Sequence, residues 1–134
     1  MNVPDLPLEK TILDAISEYP DIQLAILFGS FATGKGNKES DLDLAIDLGQ
    51  PISASEKMAL INELATAIGR PIDLVDLKSV GEPLLGQIIR HGRRILGEDR
   101  YYAELISMHL IEQSDFLPYR NRILAERRMA WIGK

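Results

Sequence analysis

The sequence predicts a mixed α/β fold in which a small sheet is packed against helices. Short runs of large apolar residues, bounded by turn residues, are typical of buried strands and occur over 22–28, 41–47 and 71–77. Segments with apolar residues at helical spacing lie before, between and after these runs. The chain has 134 residues, of which 46% are hydrophobic, and this indicates one domain with a core of its own.

Two helices are expected in the first half of the chain. The first is predicted over 4–19 from the helical spacing of its apolar residues. The second follows Ser53, whose side chain is placed to form a capping box with Glu56, and it continues through Ala67. Gly69 is placed to end it, because glycine readily adopts the left-handed conformation found at helix C-termini.

The second half of the chain is expected to be largely helical. After the third strand the sequence predicts, in order, a loop over 80–83, a short helix over 84–90, a turn over 91–94 and a brief extended piece at 95–96. Residues 98–132 are predicted to be helical with a break at Pro118. We therefore divide the single domain, 1–134, into a catalytic part over about 1–97 and a C-terminal helical arm over about 98–134.

Composition excludes several classes of protein. There are no cysteines, so disulfides and thiolate metal sites are excluded. No apolar stretch reaches the length of a membrane helix, and the N-terminus lacks the basic start of a signal peptide, so we expect a cytoplasmic protein without a membrane partner. The net charge of −5 argues against direct nucleic-acid binding.

The charge is unevenly distributed along the chain. Residues 1–89 carry 6 basic and 14 acidic side chains, whereas residues 90–134 carry 9 basic and 6 acidic ones. The arm is apolar on several sides, and residues 119–134 combine five basic side chains with Met129 and Trp131. Two interpretations stay open: an interface for a protein partner, or a basic amphipathic helix folded back on the acidic half.

Asp41 and Asp43 are the strongest chemical signal in the sequence. Side chains alternate along a strand, so both carboxylates are expected on one face at its start, where they repel each other. A divalent cation would relieve that repulsion, and Mg2+ bound by one or two carboxylates usually also takes phosphate oxygens. Gly29 and Ser30, at the end of the preceding strand, offer backbone N–H groups and a hydroxyl for a phosphate.

The third apolar run contains two further carboxylates, Asp73 and Asp76. Alternation places them on opposite faces, so both cannot line the site while the strand is regular. Asp76 lies at the strand end, where water or a cap is available. Asp73 lies inside the strand, where a carboxylate is costly unless it is paired, hydrogen-bonded or bound to a metal.

Gly29-Ser30, ten residues, and then Asp41-x-Asp43 resembles the signature of the DNA polymerase beta-like nucleotidyltransferases. The small size resembles the minimal nucleotidyltransferase subgroup, whose third carboxylate falls on Asp73. The resemblance implies a nucleotidyltransferase fold, with Asp41, Asp43 and Asp73 as catalytic residues that hold two Mg2+ ions. It also implies ATP as substrate, with Gly29 and Ser30 as nucleotide-binding residues.

The chain departs from the family pattern just after the Gly-Ser pair. Members of the family often carry Arg soon after this Ser, whereas this chain has Phe31-Ala32-Thr33. The next cations are Lys35 and Lys38, and each is as well explained as a solvated loop lysine as by contact with a triphosphate.

The resemblance also suggests a partner. Minimal nucleotidyltransferases similar to this chain are commonly paired with a HEPN-domain ribonuclease toxin, and act as antitoxins by adenylylating a tyrosine hydroxyl of the toxin. This implies AMP transfer from ATP to such a toxin, with the arm as the binding element. Two alternatives remain: a small-molecule nucleotidyltransferase of the aminoglycoside-modifying type, which usually has an additional substrate domain, and a binding-only antitoxin that retains the metal site as a relic.

Overall fold

A computed structural model describes residues 6–29 and 41–113 of the protein. The elements along the chain are α1 (Leu6–Ile16), β1 (Leu24–Phe28), β2 (Leu42–Asp47), α2 (Ala54–Ile68), β3 (Ile72–Asp76), α3 (Leu84–His91), β4 (Arg93–Leu96) and a further helix, α4 (residues 99–113). Ser30, which is predicted to bind phosphate, lies outside the described ranges, and so do Lys35 and Lys38, for which contact with a triphosphate stays open. The predicted break at Pro118 and residues 119–134 also lie outside these ranges.

The strands form one mixed sheet in the order β3-β2-β1-β4. Strand β1 is antiparallel to both β2 and β4, and β2 is parallel to β3. The parallel pair is joined through α2, as a parallel connection requires a crossover. The predicted mixed α/β fold is therefore confirmed.

Helices cover both faces of the sheet, because the strands carry apolar residues on both. On one face, α1 and α2 bury Ile12, Ile16 and Leu64 against the sheet. On the other face, α3 and α4 bury Ile88 and Leu105. None of the helices in the described ranges is long and apolar enough to cross a membrane.

The ends of α2 match the sequence prediction. The Ser53 hydroxyl accepts a hydrogen bond from the Glu56 backbone N–H at 3.1 Å, and the Glu56 carboxylate accepts one from the Ser53 N–H at 3.0 Å. Gly69 ends the helix in the left-handed conformation at φ 87°. Two otherwise unpaired N–H groups are thus satisfied at the start of the helix.

Helix α1 ends at Ile16, three residues earlier than predicted. The Tyr19 N–H donates to the Ile16 carbonyl at 3.0 Å, so the chain leaves the helix through a tight i to i−3 turn. The Tyr19 hydroxyl then donates a hydrogen bond to Glu63 of α2 and ties this turn to the second helix.

The turn predicted over 91–94 is wrong in its second half. Arg93 and Arg94 belong to β4 and pair with Leu27 and Ile26 of β1. The Arg93 guanidinium forms an ion pair with Glu9 of α1, whereas the Arg94 guanidinium lies over the Tyr102 ring of α4, 4.7 Å from its centre. These contacts stabilise two charged side chains in a strand that lacks the run of apolar residues typical of buried strands.

Helix α4 is attached to the body of the protein by further contacts beside the one between Arg94 and Tyr102. Leu105 is buried against α3 and the sheet, and His109 Nδ1 lies 2.5 Å from a carboxylate oxygen of Glu82, which precedes α3. Gly86 of α3 leaves room for this contact, since a Cβ there would lie 2.9 Å from the His109 ring. The exposed apolar residues of α4, Leu110 and Ile111, follow this contact.

Replacement of Ser53 by Ala tests the capping box. We expect Ser53→Ala to lower the free energy of unfolding by about 1 kcal/mol, because the Glu56 N–H loses its acceptor. Urea denaturation followed by circular dichroism measures the change. Thr66→Ala, which removes a hydroxyl in the last turn of the same helix, serves as the control and should leave the free energy of unfolding unchanged or slightly higher.

Candidate active site

The predicted site residues come together at one end of the sheet. Phe28, the last residue of β1, pairs with Asp43 of β2, and Asp43 pairs in turn with Asp73 of β3. Gly29 follows Phe28 directly, and Asp41 immediately precedes β2. The ends of three neighbouring strands therefore bring the glycine and the carboxylates together at one end of the sheet, which we call the carboxylate edge.

The two strand carboxylates share one face of the sheet. In β2, Leu42, Leu44 and Ile46 pack towards α1 and α2, whereas Ala45 packs towards α3 and α4. Because side chains alternate along a strand, Asp43 lies on the same face as Ala45. The predicted separation of carboxylates from apolar residues in β2 is thus confirmed.

Gly29 has both the conformation and the surroundings that require a glycine. Its φ of 73° lies in the left-handed region, and a Cβ there would lie 2.9 Å from Cγ of Asp43 and overlap its carboxylate. The absence of a side chain at Gly29 therefore leaves the space in which the Asp43 carboxylate lies. The sequence argument had given this glycine a role towards phosphate alone.

Asp43 and Asp73 interact directly. Burial raises the pKa of the Asp43 carboxyl to about 6, and a hydrogen bond to Asp73 and the negative charges of Asp73 and Asp41 act in the same direction. The protonated Asp43 carboxyl donates this hydrogen bond to the Asp73 carboxylate. The site therefore places like charges close together, and a proton relieves their repulsion in the metal-free protein.

The carboxylates of the site are oxygen donors of the kind that a divalent metal binds. Within the described ranges, no three carboxylates or imidazoles converge as a ready ligand set. Asp43 and Asp73 are hydrogen-bonded to each other, and Asp41 is exposed just before the start of β2. All three nevertheless offer oxygen ligands, and loss of the shared proton frees both strand carboxylates for a hard cation such as Mg2+. The residues therefore fit the metal once Asp43 is deprotonated.

Asp76 plays a different part, as its position at the strand end suggested. Its side chain is 6% exposed, and its carboxylate accepts hydrogen bonds from the backbone N–H groups of Ile52 and Lys78, at 3.1 and 2.9 Å, and from the Ser79 hydroxyl at 2.9 Å. These contacts fix the turns that follow β2 and β3 at the opposite end of the sheet. Asp76 is thus a capping residue, remote from the carboxylate edge.

Arg70 was missed by the sequence reasoning. It follows Gly69 at the end of α2 and precedes Pro71, whose carbonyl accepts a hydrogen bond from the Leu42 N–H at 2.9 Å. The backbone of Arg70 therefore lies next to the start of β2, where Asp41 stands. Its position three residues before Asp73 was a signal in the sequence, but it falls outside the motif that directed attention to the carboxylates.

A family model described as "Polymerase beta, Nucleotidyltransferase" matches residues 10–101. This range is more than half of the chain and includes Gly29, Asp41, Asp43 and Asp73. The chain belongs to the polymerase beta nucleotidyltransferase family. The predicted family and enzyme class are therefore confirmed.

Individual relatives of this nucleotidyltransferase support the same family assignment. It is 33% identical over 94 residues to the protein adenylyltransferase MntA of Shewanella oneidensis, covering 67% of this chain and 68% of the relative. A crystal structure of a toxin-antitoxin with AMP-PNP matches with a TM-score of 0.68 and 26% identity, over 87% of this chain and 98% of the other.

A third comparison supports the fold alone. A structure of the tri-AMPylated HEPN toxin of Shewanella oneidensis in complex with its MNT antitoxin matches with a TM-score of 0.71 at 22% identity, over 92% of this nucleotidyltransferase and 98% of that chain. The agreement over nearly the whole matched chain confirms the minimal nucleotidyltransferase architecture.

The raised pKa of Asp43 gives the metal-free protein a specific pH dependence. A carboxyl whose pKa rises from 3.8 to about 6 on folding stabilises the folded state below the lower value. That contribution is lost as the pH rises through about 6. We therefore expect Asp43→Asn, which cannot ionise, to melt at a higher temperature than the wild type at pH 7 in EDTA.

Differential scanning calorimetry in EDTA between about pH 4 and pH 7 measures this effect. The difference in melting temperature between Asp43→Asn and wild type should grow over the interval. Asp14→Asn, an exposed carboxylate of α1 that is remote from the sheet edge, is the control. A constant difference across the interval would contradict the raised pKa.

Proposed function

We propose that this nucleotidyltransferase transfers AMP from ATP to a tyrosine hydroxyl of a HEPN-domain toxin, and so acts as its antitoxin. The observation that carries the proposal is the meeting of Gly29, Asp43 and Asp73 at one edge of the sheet, with Asp41 beside them. The likeness to the adenylyltransferase MntA and to a toxin-antitoxin with AMP-PNP supports the choice of reaction and of partner.

The three aspartates have separable roles in this proposal. Asp41 and Asp43 bind Mg2+, and Asp73 completes the site after Asp43 has lost its proton. When bound, two Mg2+ ions supply charge stabilisation at the attacking and leaving oxygens of an in-line displacement. Asp73 already accepts a hydrogen bond from the protonated Asp43 carboxyl in the metal-free protein, and its carboxylate is our choice to accept the proton of the tyrosine hydroxyl.

The proposed transfer exchanges one phosphorus–oxygen bond for another. The tyrosine oxygen forms a bond to the α-phosphorus of ATP, and the bond from that phosphorus to the oxygen bridging to the β-phosphate breaks. Pyrophosphate leaves, and the hydroxyl proton passes to the carboxylate. Gly29 and Ser30 are proposed to hold the distal phosphates, with Arg70 as a cation at the opposite flank of the carboxylate edge.

The partner is proposed to bind the C-terminal helical arm. Leu110 and Ile111 of α4 are 55% and 59% exposed, which is unusual for two adjacent large apolar side chains. Arg100 lies over the Tyr101 ring, 4.6 Å from its centre, at the other end of the same helix. Exposed aliphatic residues together with Tyr and Arg are typical of protein interfaces.

Transfer of AMP to the partner is directly measurable. Incubation of the protein with its cognate toxin, ATP and Mg2+ should add the mass of one or more AMP groups to the toxin, at tyrosine, as seen by intact-mass and peptide mass spectrometry. Asp41→Ala and Asp73→Ala should abolish the increment because the metal ligands are lost. Both variants should still bind the toxin, since neither residue belongs to α4, which carries Leu110.

Asp14→Ala, an exposed change on α1, is the matched control and should retain the increment. Neutralisation of the toxin by the wild type without any mass change would favour the binding-only alternative. Transfer of a nucleotide to an aminoglycoside, with the toxin left unmodified, would favour the small-molecule alternative.

Negative charges introduced at the exposed apolar residues of the arm test whether the arm binds the toxin. Leu110→Glu with Ile111→Glu should weaken the complex with the toxin by at least about tenfold, since burying one such side chain is worth about 1.5–3 kcal/mol. Met58→Glu, a change at an equally exposed apolar residue of α2, should leave the affinity unchanged. Surface plasmon resonance gives both dissociation constants, and equal losses in the two variants would place the interface elsewhere.

A further inference from the structure

A groove runs along α2 on the side of the sheet away from α4. Two adjoining cavities, of about 300 and 450 Å³, both have Tyr19 and Glu63 in their walls, so they form one continuous depression. Along α2 the wall is built from residues three or four apart, such as Glu56, Leu60 and Glu63. That spacing is one face of a helix, and a groove beside it suits an elongated occupant.

The groove combines an apolar floor with an acidic rim. Leu48, Ile52 and Leu60 contribute the apolar surface, and Leu60 is 8% exposed. The exposed carboxylates of Asp21 and Glu63 lie on the rim. An occupant that matches both features has apolar side chains on one side and basic side chains beside them.

The hydroxyl of Tyr19 is anchored to the rim of the groove. It donates a hydrogen bond to Glu63, and this bond, with burial and the charge of Glu63, raises the pKa of Tyr19 to about 12. Tyr19 is thus a rigid wall of the groove.

The groove is separate from the candidate active site. Leu48 follows the C-terminal end of β2, whereas Asp41 and Asp43 stand at its N-terminal end. The groove also lies on the α1 and α2 side, opposite to the face that carries the carboxylates. The nucleotide chemistry therefore makes no use of it.

Residues 119–134 of the same chain have the matching composition. They contain five basic residues and one acidic residue, together with Ile123, Leu124, Met129, Trp131 and Ile132. The catalytic part, by contrast, has a large excess of acidic residues. Charge complementarity thus favours this segment as the occupant over any other part of the chain.

The segment can reach the groove from the end of α4. His109 contacts Glu82, the carboxylate of Asp76 accepts a hydrogen bond from the Ile52 N–H, and Ile52 lines the groove. The connection from Asp76 to Glu82 spans at most about 20 Å. The chain from residue 113 to Trp131 spans up to about 60 Å when extended, which is longer than this path.

We propose that residues 119–134 fold back into the groove along α2, with their apolar residues on Leu48, Ile52 and Leu60 and their arginines at Asp21 and Glu63. A tethered segment is present at an effective concentration in the millimolar range, which favours it over a second molecule. The fold-back leaves Leu110 and Ile111 as the part of the arm that is open to a partner. It rests on the groove and the charges, and is independent of the proposed AMP transfer.

Trp131 is the only tryptophan in the chain and therefore reports on the segment directly. In the full-length wild type we expect a blue-shifted emission maximum and weak quenching by acrylamide. Asp21→Lys with Glu63→Lys should shift the emission to the red and raise the quenching constant by about twofold or more, because the indole leaves an apolar groove for water.

Glu98→Lys with Glu104→Lys is the matched control. It makes the same change in net charge at two exposed residues outside the groove, and it should leave the emission of Trp131 unchanged. Far-UV circular dichroism confirms that both double variants are folded.

Three results would overturn the proposal. The first is red-shifted emission in the wild type, because the segment would then not be seated. The second is blue-shifted emission that the groove variant does not alter, because the tryptophan would then be buried elsewhere. The third is a blue shift that disappears on dilution while light scattering shows a dimer dissociating, because the occupant would then be the segment of a second copy.

Discussion

The pairing of β2 with β3 at one register is the constraint on which the candidate active site depends. Asp43 lies opposite Asp73 only in this register. A slip of one residue would exchange Asp73 for Ile72 or Leu74 on the carboxylate face. The register is held from the other side of the sheet, where Leu42, Ile72 and Leu74 are buried beneath α1 and α2. Apolar packing on one face thus fixes a pair of acidic groups on the opposite face.

That arrangement stores repulsion in the metal-free protein. Asp43 has Asp73 within hydrogen-bonding distance and the charge of Asp41 nearby, and its raised pKa expresses the cost. A proton and a divalent cation are alternative ways to remove the same repulsion. Protonation of Asp43 relieves the repulsion below about pH 6, and a bound cation would relieve it at higher pH.

Much of the architecture followed from the sequence, because local signals and tertiary packing agree there. The three apolar runs became β1, β2 and β3, and the capping box and Gly69 set the limits of α2. The sequence predicted only the second half of β4, as the extended piece at 95–96, because Arg93 and Arg94 interrupt the apolar pattern of its first half and their partners come from α1 and α4. Long-range contacts of this kind leave no periodic trace along the chain.

The site was predicted only in part, because some of its contacts form only in the folded chain. Spacing alone indicated that Gly29, Asp41 and Asp43 belong together, and the strand order then brought Asp73 to them. The contact between Gly29 and the Asp43 carboxylate, and the hydrogen bond between Asp43 and Asp73, depend on distances that only the folded chain defines. The assignment of Ser30 stays a prediction, because that residue lies outside the described ranges.

The arginines of β4 have a consequence for the behaviour of the protein in solution. Strand β4 is only four residues long and forms one border of the sheet, with Arg93 and Arg94 in its first half. An open border with free backbone groups invites pairing with another molecule, and short strands that carry positive charge resist it. The same two residues that interrupt the apolar pattern of this strand therefore also make its border a poor template for pairing with a strand of another molecule.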